Sequence, residues 1–320
     1  MRQQDTLNPL RDRGYAVVEN LIDDDVIESL RRELHEIMDK TVRKMHEKGE
    51  LPDRHADAGF DHQLARISQL DPDLGARVVE RFNGEHGEGG HMGPAVFALI
   101  THTALLDAVA SIVGPEIIGS SVYRIRPKAP GLVRGAVPWH QDSGYLMPHC
   151  DRSMIITCWI PLVDADEENG CLFVIPEAHR RGILEHRAGG PGNYLIIEES
   201  NLPADLKPMP VPVPRGGVLF MTNMTPHASF ENRTDRMRWS IDLRYQGAEV
   251  PHNVGQQPVA IDRSGSDITI ACHPPEADFV LRSPSRPQRV VRTWQQLKKL
   301  RDDYFAGTRG LDIYPDRWKG

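Results

Sequence analysis

The segment TCWIPLVDADEENGCLFVIPEAH, residues 157–179, decides the class of fold. Two short apolar runs, TCWIPLV and CLFVIP, flank the polar segment DADEENG, which ends in Asn169-Gly170. Asn-Gly between two apolar runs is typical of a β-hairpin, because both residues accept the positive φ angles of a tight turn. The segment therefore predicts two antiparallel strands joined by a hairpin.

Further short apolar runs lie on both sides of this segment, separated by Gly, Pro, Asn and Asp, as is typical of strands. We predict strands in IIGSSVYRIR, AVPWHQD, MIITCWIPLV, CLFVIP, NYLII, GVLFMT and MRWSIDLRYQ. MPVPVPRGG (residues 209–217) predicts an edge strand or a loop, because proline cannot donate to a β-ladder.

The N-terminal third has a different pattern. GYAVVENLI (residues 14–22) predicts one strand, whereas DDDVIESLRRELHEIMDK (23–40) and TALLDAVASIVGPE (103–116) have apolar residues at helical spacing. Aspartates at the start of the first helix can cap its free N–H groups, and the second helix is predicted to stop at Gly114-Pro115. HGEGGHMG (86–93) predicts a flexible loop, and TWQQLKKLRDDYFAG (293–307) predicts a last helix.

Helices followed by many short strands predict an α+β chain with an antiparallel core, such as a double-sheet jelly roll or a cupin-like barrel. We expect residues 1–320 to form a single domain. In it, residues 1–116 are mainly helical support, residues 117–250 form the β core, and residues 251–320 are a C-terminal extension.

Composition narrows the possible partners. A net charge of −7 is unfavourable for binding a phosphate backbone. The four cysteines form no CxxC pair, so neither a zinc knuckle nor a disulfide framework is expected. We find no apolar run near the ~20 residues of a spanning helix, and the N-terminus lacks the features of a signal peptide. We therefore predict a cytoplasmic protein without a nucleic-acid or membrane partner; nothing indicates a homo-oligomer.

VPWHQDSGYL (residues 137–146) contains a candidate metal site. Residues two apart in a strand point to the same face, so His140 and Asp142 can approach one ion. His227, in GVLFMTNMTPHASFEN, is the best third ligand. Two histidines and one carboxylate form the facial triad of non-haem Fe(II) oxygenases, which leaves positions open for substrates. His-x-Asp alone is a weak motif.

A second element strengthens this interpretation. Arg238 follows His227 in MRWSIDLRYQ, where Met237, Trp239, Ile241, Leu243 and Tyr245 alternate with Arg238, Ser240, Asp242 and Arg244. The polar face could lie in water, as is usual for antiparallel sheets. Alternatively, it could line a ligand cavity in a barrel, where an arginine binds a carboxylate of a 2-oxo diacid bidentately. The spacing alone leaves both open.

At these residues the chain resembles the phytanoyl-CoA dioxygenase family of Fe(II)/2-oxoglutarate oxygenases, from GYAVVENLI through LRYQ. The most specific segments are PWHQD, TCWIPLVDADEENGCLFVIPEAH and GGVLFMTNMTPHASFENRTDRMR. The family's tryptophan-containing strand, Asn-Gly turn and Pro-x-x-His ending are matched by Trp159, Asn169, Gly170, Pro176 and His179. The family often has Gly-Ser before that histidine, and this chain has Glu177-Ala178.

The resemblance implies a double-stranded β-helix that binds Fe(II) through His140, Asp142 and His227. It also implies that Arg238, helped by Ser229, pairs with the far carboxylate of 2-oxoglutarate. Trp159 and Tyr123 match positions that line the cosubstrate pocket. Trp159 could equally be a core aromatic residue, and Ser229 could bond its own backbone. We expect His179 to be structural. Because related halogenases replace the carboxylate ligand, Asp142 disfavours halogenation.

The implied activity is that of a dioxygenase that uses O2 to hydroxylate an aliphatic C–H bond of a small or medium organic metabolite, with release of succinate and CO2. A redox-neutral, metal-dependent, cupin-like isomerase or lyase is the first alternative, and a binding protein on an oxygenase scaffold is the second. HGEGGHMG and DSGYLMPHCD are candidate lid segments. Candidates for substrate contact are His86, His91, Tyr145, His149, Asn223 and Arg244.

Overall fold

Helices dominate the first third of the chain in the computed structural model, which describes residues 7–84, 90–120, 123–131, 135–146, 148–188, 194–248, 278–308 and 318. The helices are α1 (Pro9–Arg13), α2 (Asp24–Glu47), α3 (Gly59–Leu70), α4 (Pro72–Gly84), α5 (Pro94–Ile100), α6 (Thr103–Val113) and α7 (Trp294–Thr308). The predicted helices at 23–40, 103–116 and 293–307 are confirmed as α2, α6 and α7. We did not predict α1, α3, α4 and α5.

The strands are β1 (Tyr15–Val18), β2 (Ile117–Ser120), β3 (Arg124–Lys128), β4 (Val137–His140), β5 (Ile155–Pro161), β6 (Leu172–Val174), β7 (Met209–Val211), β8 (Val218–Thr222), β9 (His227–Ser229), β10 (Arg238–Gly247) and β11 (Asp278–Arg282). Six of the predicted strand segments are confirmed. The seventh, NYLII, forms only an isolated bridge between Ile196 and Arg187.

Two antiparallel sheets make up the β core. The larger sheet has the order β1-β8-β5-β10-β2-β11, with β3 pairing with the first half of β10. The smaller sheet has the order β4-β9-β6-β7, so the proline-containing β7 is an edge strand, as predicted. The prediction of a mixed helical and antiparallel chain is confirmed.

The hairpin predicted at residues 157–179 is wrong. β5 pairs with β8 and β10 in the larger sheet, whereas β6 pairs with β7 and β9 in the smaller one. The Asn-Gly turn is real, since Gly170 has φ 83° and the Asn169 side chain bonds to the backbone of Asp164 and Asp166. The turn therefore carries the chain from one sheet to the other.

The two faces of the larger sheet pack against different partners. On one face Cys158, Phe220 and Trp239 share a buried cluster with Leu34 and Leu105 of the helices. The other face meets the smaller sheet, in a cluster that joins residues of both sheets, including Trp159, Met221, Leu172 and Val211. The space between the sheets is where the candidate site lies.

Two local predictions need correction. Asp23 is the N-cap of α2, but its side chain makes no capping hydrogen bond. The span Pro94–Val113 has the length and composition to cross a membrane, which we did not predict. It is divided between α5 and α6, and Leu99, Leu105 and Val109 are fully buried in the core. Helices in the core of soluble proteins can have the same length and composition.

Candidate metal centre

Three side chains converge between the two sheets. His140 ends β4 and lies opposite His227, the first residue of β9, with 4.2 Å between the ring centroids. Nε2 of His140 lies 3.9 Å from Oδ1 of Asp142, and one potential ligand atom from each of the three residues lies within 4.8 Å of the others. The structure thus brings the three predicted ligands together.

The local reason for this convergence differs from the prediction. The strand stops at His140, and Asp142 begins a 3-10 turn, Asp142–Tyr145. Gln141 points away, as expected, and its buried amide donates to the carbonyl oxygens of Gly182 and Met224. The turn, held by these bonds, aims the Asp142 carboxylate at the histidines.

The two imidazoles are set up as neutral ligands. Nδ1 of His140 lies 2.8 Å from the carbonyl oxygen of Pro138, and Nδ1 of His227 lies 3.0 Å from that of Thr225. A proton on Nδ1 donates to each carbonyl and leaves Nε2 with a free lone pair. Burial lowers the pKa of both histidines, so the neutral form persists below the usual pH.

Asp142 is held as a carboxylate. Arg244 donates to both of its oxygens, from Nε at 3.0 Å and from Nη2 at 2.9 Å, and the hydroxyl of Thr157 donates to Oδ2. Burial opposes the charged form, but the attraction and the hydrogen bonds of Arg244 are stronger and hold the pKa of Asp142 well below its usual range. The acid is therefore ionised and oriented.

The same site contains a buried guanidinium that has no acidic partner among the residues that the structure describes. Arg238 is only 1% exposed, and the hydrogen bond from its Nη1 is to Oγ of Ser240, at 2.5 Å. Its guanidinium carbon lies 5.4 Å from the ring centroid of Trp159. Nε of Arg238 and Nε1 of Trp159 are buried without a hydrogen-bond partner. Because a buried charge needs a partner, this arrangement fits an anionic ligand.

A second basic residue, Lys128, lies beside this guanidinium and was missed from the sequence. It is opposite Arg238 in the β3–β10 register. Its ammonium group is 2.6 Å from Oγ of Ser229 and also donates to the carbonyl oxygen of Phe230. Burial first, and then repulsion by Arg238, lower the pKa of Lys128 to about 6. Burial also lowers the pKa of Arg238, to about 9, so Arg238 remains charged at neutral pH.

One cavity connects these groups, and we call it the central cavity. Its lining includes His140 and His227 at one end, Arg238 and Ser229 at the other, and Trp159 between the sheets. The metal ligands His140 and His227 and the basic residues Arg126, Arg238 and Arg244 thus face one common space. The polar face of β10 therefore lines a cavity, and the alternative that it lies in water is wrong: Arg238, Ser240 and Asp242 are buried.

Tyr123 is the one predicted pocket residue that the structure does not bring to the central cavity. It is buried in the helix-side cluster. Its hydroxyl donates to the carbonyl oxygen of His91 at 2.6 Å and accepts from Arg301 at 2.5 Å.

Of the candidates for substrate contact, Arg244 lines the central cavity. His91 instead bonds to Glu33, at 2.7 Å. The amide of Asn223 donates to Ser143 and accepts from the backbone of Ile155.

Tyr145 lies near the metal ligands. Its ring centroid is 6.0 Å from that of His140, and its hydroxyl accepts from the backbone of Leu195. His86 and the side chain of His149 lie outside the described residues. His179 is remote from the three ligands: its Nε2 lies 3.1 Å from the carbonyl oxygen of Arg11 at the N-terminal edge.

Residues on β3 and β5 that shape the site went unnoticed in the sequence. Arg126 lines the central cavity, Lys128 adjoins it, and Thr157 bonds to Asp142. The segment RIRPK has a basic residue at every second position, Arg124, Arg126 and Lys128. This alternation could have indicated a basic strand face. No comparable signal marks Thr157.

The sequence model of the family "Phytanoyl-CoA dioxygenase (PhyH)" matches residues 10–240. This match covers most of the chain, including all three candidate ligands and Arg238. The chain belongs to the phytanoyl-CoA dioxygenase family. The resemblance predicted from the sequence is thereby confirmed.

Individual relatives agree with this assignment. The chain is 27% identical over 255 residues to phytanoyl-CoA dioxygenase domain-containing protein 1 of Danio rerio, covering 71% of this chain and 84% of that protein. It is 33% identical over 151 residues to methylphosphonate hydroxylase of Gimesia maris, covering 46% of this chain and 52% of that protein.

Solved structures agree on the fold. The non-heme monooxygenase ThoJ aligns over 96% of this chain and 98% of its own, with a TM-score of 0.52 and 20% identity. EvdO2 from Micromonospora carbonacea var. aurantiaca aligns over 75% of this chain and 89% of its own, with a TM-score of 0.50 and 18% identity.

Proposed function

We propose that this member of the family is a non-haem Fe(II)/2-oxoglutarate-dependent dioxygenase that hydroxylates an aliphatic C–H bond of a small or medium organic metabolite. The observation that carries this proposal is that both histidines of a buried His-Asp-His cluster line the same cavity as Arg238, a buried arginine that forms no ion pair with an acid among the described residues. A metal cluster alone would suit many classes of protein, whereas the cluster and the arginine together fit a metal and a dicarboxylate.

The donor set fits ferrous iron. Two neutral imidazoles and one carboxylate on one side of an ion are the ligands of non-haem Fe(II) oxygenases and leave positions open. We infer that His140, Asp142 and His227 would bind the ion. Bound iron and 2-oxoglutarate would supply the oxidative chemistry that releases succinate and CO2 and hydroxylates the substrate.

Neighbouring residues would fix the orientation and protonation state of the metal ligands. Arg244 and Thr157 fix the Asp142 carboxylate, and backbone carbonyl groups set the tautomers of the histidines. Arg238 would bind the far carboxylate of 2-oxoglutarate, with Ser229 beside it. The unpartnered Nε of Arg238 provides a donor for such an anion.

The same proposal extends to architecture. We propose that the two sheets are the two halves of a double-stranded β-helix and that residues 1–320 form one domain. Support comes from the buried cluster that joins the two sheets and from the cluster that joins the larger sheet to the helices. Cytoplasmic localisation remains a prediction.

The decisive experiment is an anaerobic titration of the metal-free protein with Fe(II) and then with 2-oxoglutarate, followed by visible absorption. The expected result is a charge-transfer band in the wild type that is lost in Asp142→Ala and weakened in Arg238→Ala. Asp235→Ala and Arg236→Ala are matched controls, because both side chains are exposed and lie beside the same strand.

The same titration can also refute the proposal. Wild-type protein that binds Fe(II) but gives no band with 2-oxoglutarate would refute the oxygenase proposal. The redox-neutral isomerase or lyase would then account better for the metal cluster.

A further inference from the structure

A chain of alternating charges runs from the candidate metal ligand Asp142 toward the exposed side of the central cavity. Arg244 binds Asp142 and also donates to Oδ2 of Asp242, at 3.2 Å. Oδ1 of Asp242 accepts from Nε of Arg126, at 2.6 Å. Nη1 of Arg126 in turn lies 3.3 Å from the hydroxyl oxygen of Tyr194.

Of the four charged side chains in this series, Arg126 is the most exposed. The Asp142 side chain is 3% exposed, Arg244 10% and Arg126 25%. The chain therefore begins at the candidate metal site and ends, at its most accessible point, in a positive charge. Arg126 also lines the central cavity.

Once a metal ion is bound, the two aspartates of this series would not neutralise the charges of its two arginines. Asp242 is shared, because its two oxygens accept from two different arginines. Asp142 is the other acid, and its charge would be taken up by the ion. Arg126 and Arg244 would then have the single charge of Asp242 between them, so the cavity keeps an excess positive charge.

Arg126 and Tyr194 each have a hydrogen-bond donor that is available for a ligand. Among the described residues, Nε and Nη1 of Arg126 have acceptors, whereas Nη2 makes no hydrogen bond. Because the Tyr194 hydroxyl accepts from Arg126, its own proton is free to be donated. The guanidinium of Arg126 and the hydroxyl of Tyr194 are neighbours, 3.3 Å apart, and a guanidinium with a hydroxyl donor beside it is suited to binding an oxyanion.

We propose that the primary substrate carries an oxyanion, a carboxylate or a phosphonate, that is bound by Arg126 together with the hydroxyl of Tyr194. This inference rests on the proposed function, since it treats Arg238 as occupied by 2-oxoglutarate and the triad as occupied by iron. It narrows the substrate from any small metabolite to an organic anion.

The test is anaerobic isothermal titration calorimetry of the Fe(II)-loaded protein in saturating 2-oxoglutarate, with butyrate, ethylphosphonate and the neutral butyramide as probes. We expect at least one anion to bind at least about tenfold more tightly than butyramide. Arg126→Gln should weaken that anion about tenfold or more, the loss expected for a charge-assisted hydrogen bond. Butyramide binding should change little.

Two further variants protect the test against misfolding. Tyr194→Phe removes one hydroxyl and keeps the ring, and it should weaken the anion by about three- to fivefold, as expected for one hydrogen bond. Arg126→Lys keeps the charge but loses the planar fork, so its affinity should fall between wild type and Arg126→Gln. Arg181→Gln is the matched control, because that exposed arginine pairs with Asp205 at the surface. This variant should bind the anion like wild type.

The outcomes separate the two proposals. Suppose that the wild type gives the charge-transfer band with 2-oxoglutarate. Equal affinities for the anions and the amide would then overturn this inference alone. So would an anion affinity that is unchanged in both Arg126→Gln and Tyr194→Phe. Absence of the band would refute the proposed function and this inference with it. Preference for butyrate or for ethylphosphonate would identify the oxyanion.

Discussion

The two faces of strand β10 are similarly buried, but one packs in the hydrophobic core and the other lines the central cavity. Trp239, Ile241 and Leu243 pack into the helix-side cluster of buried apolar residues. Arg238 and Asp242, one position away, are just as buried but line the central cavity. Burial therefore does not distinguish core from site in this protein. What distinguishes them is the chemistry of the buried groups, which are apolar on the core face and charged on the cavity face.

The largest effect should come from the core face. Trp239 is fully buried and stacks on Phe60 with 4.7 Å between the ring centroids. Trp239→Ala should lower the free energy of unfolding by about 3–5 kcal/mol, because it removes buried area and leaves a cavity. Urea unfolding measures this. Phe230→Ala, at a 47% exposed aromatic residue, is the control and should cost clearly less. A loss below about 1 kcal/mol at Trp239 would mean that the face is not a packed core.

At Arg238, on the cavity face, we expect a substitution to reduce ligand affinity and not stability. Arg238→Met removes a buried charge without an acidic partner, so the free energy of unfolding of the ligand-free protein should stay the same or rise. Affinity for 2-oxoglutarate should fall about 100-fold, or ~2.7 kcal/mol, because the paired carboxylate loses its charge-assisted hydrogen bonds. Calorimetry with the Fe(II)-loaded protein measures the affinity, and Arg236→Met is the matched control. Unchanged affinity together with a less stable protein would make Arg238 a structural residue.

Lys128, which adjoins the central cavity, should make the free energy of unfolding depend on pH. The apolar residues of the core face contribute no such dependence. The unfolded chain binds this proton below pH 10.5, but the folded protein does so only below about pH 6. Stability should therefore be lost as pH falls from about 10 toward 6, by up to about 1.4 kcal/mol per pH unit from this residue. In Lys128→Met this part of the slope should disappear, as measured by urea unfolding between pH 7 and 9. Lys299→Met, at a 75% exposed lysine, should retain the wild-type slope. Equal slopes in all three proteins would show that Lys128 is charged when buried.

The smallest effect should come from Ser240, whose hydroxyl accepts from Arg238. Ser240→Ala should cost about 1 kcal/mol of stability, the usual contribution of one hydrogen bond. Affinity for 2-oxoglutarate should change less than in Arg238→Met, since the guanidinium remains. Thermal unfolding and the same calorimetric titration check both values. A larger loss of affinity than in Arg238→Met would place Ser240, rather than Arg238, in contact with the ligand.

Much of the candidate site could be predicted from the sequence because its signals are local. His140 and Asp142 are two residues apart, and the alternation in MRWSIDLRYQ separates the two faces of β10. The order of the motifs then identified the family. Tyr123 shows the limit of such matching, since its hydroxyl bonds to His91 and Arg301 rather than facing the cavity.

What only the tertiary structure decided depends on pairing between distant segments. Alternation shows that two faces of a strand differ, but it cannot show whether a second sheet covers the polar face. The Asn-Gly turn was visible in the sequence, yet its two flanking strands belong to different sheets, because β8 and β9 lie far along the chain and compete for their edges. The Arg244–Asp142 pair joins residues from the end of β10 and the turn after β4. A single sequence carries no pattern for such long-range contacts. The sequence by itself therefore determined which residues can bind a metal and an anion, and the packing of the two sheets determined that these residues share one cavity.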